Sequence, residues 1–293
     1  MIQDAPTIDF KHVLATAERV KPLPTSVARL AALVCEEEPD FKEIVEVVSY
    51  DESLTAQLLR QANSVGLGSI HPVKTVRDAA MRLGTGSLLS LALTSSVGDN
   101  LRRALPAYGL AEGELWQQSV AASIAAEVIR SHARIGVPAE VSTAALLHDF
   151  GKVVLANHFG PQILKMLEEA SGNDNIDLCE TELRVFGVTH ADVGGLVAQQ
   201  WHLPQSIVDA VTQHHSVRDD LPAICAAVSL AHAVALELGL PEDPVIEVVE
   251  RQQSMVIQRR PIMRQLGIDP DLYPEIVHTA RAKYDELASR FDV

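Results

Sequence analysis

Apolar residues recur with helical spacing along the first hundred residues of this chain, and no stretch there alternates with the period of two that marks a half-buried strand. One helical face comprises Val27, Leu30, Ala31 and Val34. Residues that favour helix N-caps precede three further runs, namely Asp40, Asp51 and Thr75. The apolar fraction is 47 % but the aromatic fraction is only 4 %, which suits close-packed helices better than a β-sandwich. The sequence therefore predicts an all-α fold.

A polar segment with Gly and Pro, Gly98 to Gly113, separates this half from the rest and is interpreted as a linker. An Ala-rich helix is predicted to follow it, from Glu114 to about His132. The 293 residues are enough for two modest domains. We predict two helical subdomains, residues 1–110 and residues 111–293, the second with carboxy-terminal helices.

The charge balance limits the classes of partner. Twenty-four basic and thirty-nine acidic side chains give a net charge of −15, which repels phosphate backbones, so general nucleic-acid binding is not expected. The net charge is still compatible with binding of a small phosphorylated ligand in a local cationic pocket.

The expected location is the cytoplasm. The three cysteines are far apart and odd in number, which fits a reducing compartment without a disulfide framework. The amino terminus lacks the basic and apolar regions of a signal peptide. One span, Leu221–Leu240, approaches membrane length, but it carries His232 and Glu237, so a buried helix of a soluble protein is the better interpretation.

The motif LLHDFGK, residues 146–152, places a histidine beside a carboxylate directly after an apolar run. Neutral imidazole and carboxylate oxygen both bind divalent cations. Lys152 lies on the same helical side as the pair and could hold a phosphate group as a point charge. The alternative is a buried His148–Asp149 pair that only satisfies its own hydrogen bonds, because buried polar groups need partners with or without a metal.

Five of the eleven histidines fall at helix ends or in apolar helices after residue 147. They are His148, His190, His214, His215 and His232. Adjacent side chains on a helix project about 100° apart, so His214 and His215 could serve two metals, or one metal and a phosphate. These histidines are too far apart in sequence to share one helix, so we predict that the fold brings them to one cleft beside Asp149.

The order LLHDFGK, THADVG with WHLP, and a helix ending in HH resembles the HD superfamily of helical metal-dependent phosphohydrolases. LPTSVARLAALV, YDESLTAQLLRQANS and TVRDAAMRLG are similar to the amino-terminal part of the HDOD family, the HD-related output domains of bacterial signalling. The resemblance covers about residues 20–240. It implies two helical subdomains and a regulatory role, because HDOD modules accompany signalling circuits and often lack the catalytic residues.

The resemblance also implies functions for individual residues. The metal ligands it implies are His148, Asp149, His190, His214, His215 and His232. Asp149 and Lys152 match catalytic positions of active relatives. The sequence departs from the superfamily at two ligand positions, where Gln118 stands for a histidine or glutamate and His232 for an aspartate. No GYP motif follows His215, so cyclic dinucleotide hydrolysis is not expected.

Two functions follow as hypotheses. The first is a signal-transduction module, non-catalytic or weakly catalytic, that binds a partner protein or a small phosphorylated ligand and receives its input from a separate chain. The second is a metal-dependent phosphohydrolase that acts on a nucleotide or another phosphate ester. In either case the expected cofactor is one divalent ion (Fe, Mn, Zn, Ni or Mg), for which His148, Asp149, His190 and His232 supply enough donors.

Overall fold

The computed structural model describes residues 20–63, 73–160, 178–216, 218–238 and 259–291, together with the single residues 15 and 167. Across these ranges the regular structure is helical and contains no strand. A lone antiparallel bridge joins Leu105 and Leu110. The predicted all-α fold is confirmed.

Short amphipathic helices build the first half. They are α1 (Thr25–Val34), α2 (Phe41–Ser49), α3 (Glu52–Ala62), α4 (Val76–Leu83) and α5 (Thr85–Arg102). The predicted N-caps are confirmed, because the side chains of Asp40, Asp51 and Thr75 each accept a hydrogen bond from a backbone N–H of the following first turn. The predicted apolar face of α1 is buried as well.

The predicted linker is wrong over residues 98–102, which belong to α5. Gly98 is buried there, and an added Cβ would lie 3.7 Å from the ring of Trp116. A glycine is a weak helix former, but tertiary packing overrides a local propensity of this size. The chain then forms a short 3-10 turn, Pro106–Tyr108, in which Tyr108 is fully buried. The connection is therefore a packed turn for much of its length.

Longer and more buried helices build the second half. They are α6 (Glu114–His132), α7 (Val141–Leu147), α8 (Phe150–Phe159), α9 (Leu178–Phe186), α10 (His190–Gln200), α11 (Gln205–Thr212), α12 (Ala223–Glu237) and α13 (Tyr273–Phe291). Residues 259–265 are also helical. The prediction for α6 is confirmed at both ends. It packs closely against α7 and α12, and its alanines are buried, as expected because small side chains let helix backbones approach.

The buried core is continuous from Val27 on α1 to Tyr284 on α13. The division into residues 1–110 and 111–293 stays a prediction. The part of the span Leu221–Leu240 that is described forms the buried helix α12, with a nearly continuous buried surface. Within the ranges given above, no helix has both the length and the apolar character that crossing a bilayer requires.

Three helix ends and one helix interior meet at a single place. Helix α7 ends one residue before His148, and α10 begins at His190. Helix α11 ends shortly before His214, and α12 carries His232 in its interior. Helices α8 and α10 touch through their backbones, because a Cβ on Gly151 would overlap the carbonyl oxygen of His190. Glycine at this position permits the close approach.

Candidate metal centre

The carboxylate of Asp149 lies in the middle of the histidines that the sequence singles out. Nε2 of His148 lies 3.1 Å from Oδ2 of Asp149. Nε2 of His190 and Nε2 of His214 lie 3.1 Å and 3.5 Å from Oδ1. Three helix ends thus bring their imidazoles to one carboxylate, as the predicted convergence requires.

The other two histidines close the cluster. Nδ1 of His232 lies 2.8 Å from Nε2 of His148, and Nε2 of His215 lies 3.0 Å from Nε2 of His190. The ring centres of His215 and His232 are 4.9 Å apart. The structure therefore brings all six predicted metal ligands together, while their function as ligands stays a prediction.

The cluster is buried rather than open. Five of its members expose 7 % or less of their surface, namely His148, Asp149, His190, His214 and His232. His215 is half-buried. Buried polar groups are costly unless they are paired, so the contacts of this cluster largely determine whether this part of the fold is stable.

Backbone carbonyls orient two of the imidazoles. Nδ1 of His148 donates a hydrogen bond to the carbonyl oxygen of Ala145 at 2.6 Å, and Nδ1 of His214 donates to that of Val211 at 2.7 Å. A carbonyl oxygen only accepts, so in each ring Nδ1 carries the hydrogen. In a neutral ring the lone pair is then on Nε2, the atom that faces Asp149. Metal-binding histidines are held in the same way by their other nitrogen.

A carboxylate that the sequence analysis did not single out orients the third imidazole. Oε2 of Glu182 accepts hydrogen bonds from the backbone N–H of His190 at 2.8 Å and from its Nδ1 at 2.7 Å. Glu182 is fully buried on α9. A signal was present, because Glu182 lies with Leu178, Val185 and Phe186 on the apolar stripe of that helix, and an acidic residue on such a stripe needs a partner.

Lys152 lies beside the cluster, on the side that helical spacing predicts. Its Nζ is 3.2 Å from Oδ2 of Asp149, and the side chain is buried. The ammonium group also lies 6.0 Å from the ring centre of Tyr108. Gln118 is buried on α6, and its match to the first ligand of the superfamily stays a prediction.

The buried charges shift the acidities of the cluster in opposite directions. Burial alone would raise the pKa of Asp149, but the charges of His148 and Lys152 hold it well below its usual range. Burial would lower the pKa of His190, but the carboxylates of Glu182 and Asp149 raise it to about 9. Burial lowers the pKa of His214 to about 3 and those of His215 and His232 well below their usual range. Most of the imidazoles are therefore neutral, which is the form that binds metals.

The donors present fit a divalent ion. Oδ1 of Asp149 is buried and accepts no hydrogen bond, although two Nε2 atoms lie within 3.5 Å of it. A lone pair that faces a carboxylate oxygen needs a cation between them, either a proton or a metal ion. Two overlapping donor sets, in which the donor atoms lie within 4.8 Å of one another, share Asp149 and His214. The first set adds His148 and His232, and the second adds His190 and His215.

These features define an all-helical protein with a buried histidine–aspartate centre. A sequence profile of the HDOD domain matches residues 20–217, and the chain belongs to the HDOD domain family. The resemblance seen in the sequence is confirmed. An uncharacterized protein of Treponema pallidum (strain Nichols) is 26 % identical over 211 residues, which make up 71 % of this chain and 40 % of that protein. The chain thus spans less than half of this relative.

Solved structures are similar over almost the whole chain. An HDOD domain protein of unknown function from Geobacter sulfurreducens superposes with a TM-score of 0.71 at 25 % identity, over 95 % of this chain and 99 % of that one. A protein of Shewanella amazonensis with a provisional phosphohydrolase name has a TM-score of 0.66 at 21 % identity, over 94 % and 97 %. A protein of Marinobacter aquaeolei, provisionally named for signal transduction, has a TM-score of 0.67 at 23 % identity, over 96 % and 63 %. The last two support the fold alone.

Proposed function

We propose that this chain is a regulatory HDOD module of bacterial signalling whose buried centre binds one divalent metal ion. The module acts by binding a partner protein or a small phosphorylated ligand, with no turnover or only weak turnover. Its cytoplasmic location belongs to the same proposal. A fold does not establish a function, so the proposal rests on the geometry of the centre.

The observation that carries the metal site is the orientation of three imidazoles. His148, His190 and His214 each use Nδ1 to donate to a fixed acceptor and turn Nε2 toward Asp149. A purely structural histidine–aspartate pair would need one such nitrogen, which would donate to the carboxylate. Here three nitrogens compete for one carboxylate, and Oδ1 accepts no hydrogen bond from any of them. An ion bound between these donors satisfies all of them at once.

The donor set also limits the choice of ion. Imidazole nitrogens outnumber carboxylate oxygens in both donor sets. Imidazole suits zinc, iron and nickel, whereas magnesium prefers oxygen donors and keeps its waters. We therefore favour Fe, Zn or Ni over Mn and Mg.

Two observations support a regulatory function over catalysis. Asp149 and Lys152, the two residues in predicted catalytic positions, pair with each other at 3.2 Å and are buried. A phosphate ester would have to displace that ion pair to use the lysine. In addition, the resemblance places His232 where active relatives have their closing aspartate, and Nδ1 of His232 lies 2.8 Å from Nε2 of His148.

A metal titration tests the proposal. The protein is first stripped with a chelator and then reloaded with metal. We expect it to hold one ion per chain, as measured by elemental analysis. The ion should raise the melting temperature, because a ligand at 100 times its Kd adds about 2.7 kcal/mol to the free energy of unfolding. His190→Ala should lose the ion. His132→Ala is the matched control, because His132 also bonds a backbone carbonyl but lies outside the cluster. Equal metal content in the two variants would contradict the proposal.

The alternative function is a metal-dependent phosphohydrolase, favoured by the presence of Asp149 and Lys152 at positions that match catalytic residues of active relatives. A bound ion would lower the pKa of its water and polarise a phosphoryl oxygen, while the lysine neutralised charge. A panel of phosphatase and phosphodiesterase substrates separates the two functions. Turnover that is lost in Asp149→Ala and Lys152→Met would establish the enzyme. Metal binding without turnover favours the regulatory module.

A further inference from the structure

Tyr108 approaches the candidate metal centre in two ways, through Glu182 and through Lys152, although it lies far from the centre in sequence. Its hydroxyl donates a hydrogen bond to Oε1 of Glu182 at 2.7 Å. Its ring lies 6.0 Å from the ammonium group of Lys152, a distance at which a cation and an aromatic face attract each other. Tyr108 is fully buried and belongs to the short turn that joins α5 to α6.

Glu182 connects Tyr108 to the centre. One carboxylate oxygen accepts from Tyr108, and the other accepts from the backbone and the ring of His190. With all these contacts in place the carboxylate cannot rotate without the loss of a buried hydrogen bond. The direction of the His190 ring is therefore set by the position of the tyrosine hydroxyl.

We propose that Tyr108 and Glu182 are positioning residues that couple the turn between α5 and α6 to metal binding. The inference deepens the proposed function and rests on it. Neither residue belongs to the two donor sets around Asp149. Glu182 fixes the His190 ring so that Nε2 points at Asp149, and Tyr108 fixes Glu182 while its ring supports Lys152. A shift of the turn would change the contacts of both carboxylate oxygens of Asp149, since His190 contacts Oδ1 and Lys152 contacts Oδ2.

This coupling gives the module a route between its halves. The turn lies at the predicted boundary near residue 110, so a movement of the first half against the second would displace Tyr108. If such a movement changes the affinity for the metal, then metal binding must in turn change the equilibrium between the two positions of the halves, because the coupling between two sites is reciprocal. A partner protein that binds one half would then sense the metal content of the other.

Calorimetric titration of zinc into stripped protein tests the coupling. We expect Tyr108→Phe, which keeps the ring and removes the hydroxyl, to weaken metal binding about 10-fold, and Glu182→Gln to weaken it up to about 100-fold, the range typical of such supporting contacts. Nitrogen NMR of the stripped protein gives a second readout. At pH 10, above the pKa of about 9 that Glu182 and Asp149 give His190, the neutral ring should carry its hydrogen on Nδ1 in the wild type and lose that preference in Glu182→Gln.

The chain supplies a matched control in another tyrosine–glutamate pair. The hydroxyl of Tyr273 donates to Oε1 of Glu237 at 3.0 Å, and neither residue belongs to the donor sets. Tyr273→Phe and Glu237→Gln should leave the affinity unchanged even if they lower the melting temperature. Equal affinities in wild type and Tyr108→Phe, with the wild type still binding metal, would overturn the coupling alone. A wild type that binds no ion would overturn the metal site and the coupling together.

Discussion

Asp149→Ala is expected to lose the bound ion completely and to destabilise the metal-free chain by about 3–5 kcal/mol, the cost of removing one partner from a buried ion pair. The carboxylate contacts three imidazoles and the ammonium group of Lys152. Its removal would deprive the proposed ion of its charged ligand and leave the buried lysine without that carboxylate. Elemental analysis measures the first effect, and urea unfolding in the presence of a chelator measures the second.

A double variant separates the two effects. Asp149→Ala with Lys152→Met removes both charges, so we expect it to be more stable than Asp149→Ala alone, because truncation of both partners of a buried pair costs less than truncation of one. It should still bind no metal. The contrary outcome is a double variant that loses more free energy of unfolding than the two single variants lose together. In that case the ion pair would not be the source of the stability loss.

Gly151→Ala is expected to cause the second large loss, about 3 kcal/mol of stability, at the upper end of the usual cost of overpacking. The added Cβ would overlap the backbone carbonyl of His190 and would lie 2.8 Å from the amide nitrogen of Gly194. Backbone cannot rotate away as a side chain can, so α8 and α10 must separate. Because these helices place Asp149 and His190, the affinity for the ion should fall with the stability. Thermal unfolding and metal titration measure the two quantities.

Gly136→Ala is the control for this glycine. A Cβ at Gly136 meets nothing within 4 Å, so the change should alter the free energy of unfolding by no more than about 0.5 kcal/mol. A Gly151→Ala variant with wild-type stability and wild-type metal affinity would contradict the close approach of α8 and α10 and, with it, the placement of the two ligands.

Local signals in the sequence account for much of the fold. The caps at Asp40, Asp51 and Thr75 were predictable because an N-cap depends only on the few residues that follow it. The start and end of α6 were predictable for a similar reason, since Gly113 precedes its first turn and its apolar pattern ends with His132. The error at Gly98 has the opposite cause, because packing against the next helix, α6, keeps α5 helical through a residue that locally favours a break.

The candidate site likewise combines features that the sequence determined with features that only the tertiary structure decided. The sequence by itself determined the all-α class, the family and the residue types of the centre, because periodicity, capping and the HD motif are written in neighbouring residues. Tertiary structure alone decided that five imidazoles surround one carboxylate, and that Tyr108 and Glu182 hold one of them. Those contacts join residues that are up to 84 positions apart, and their geometry depends on helix packing, which no local pattern encodes.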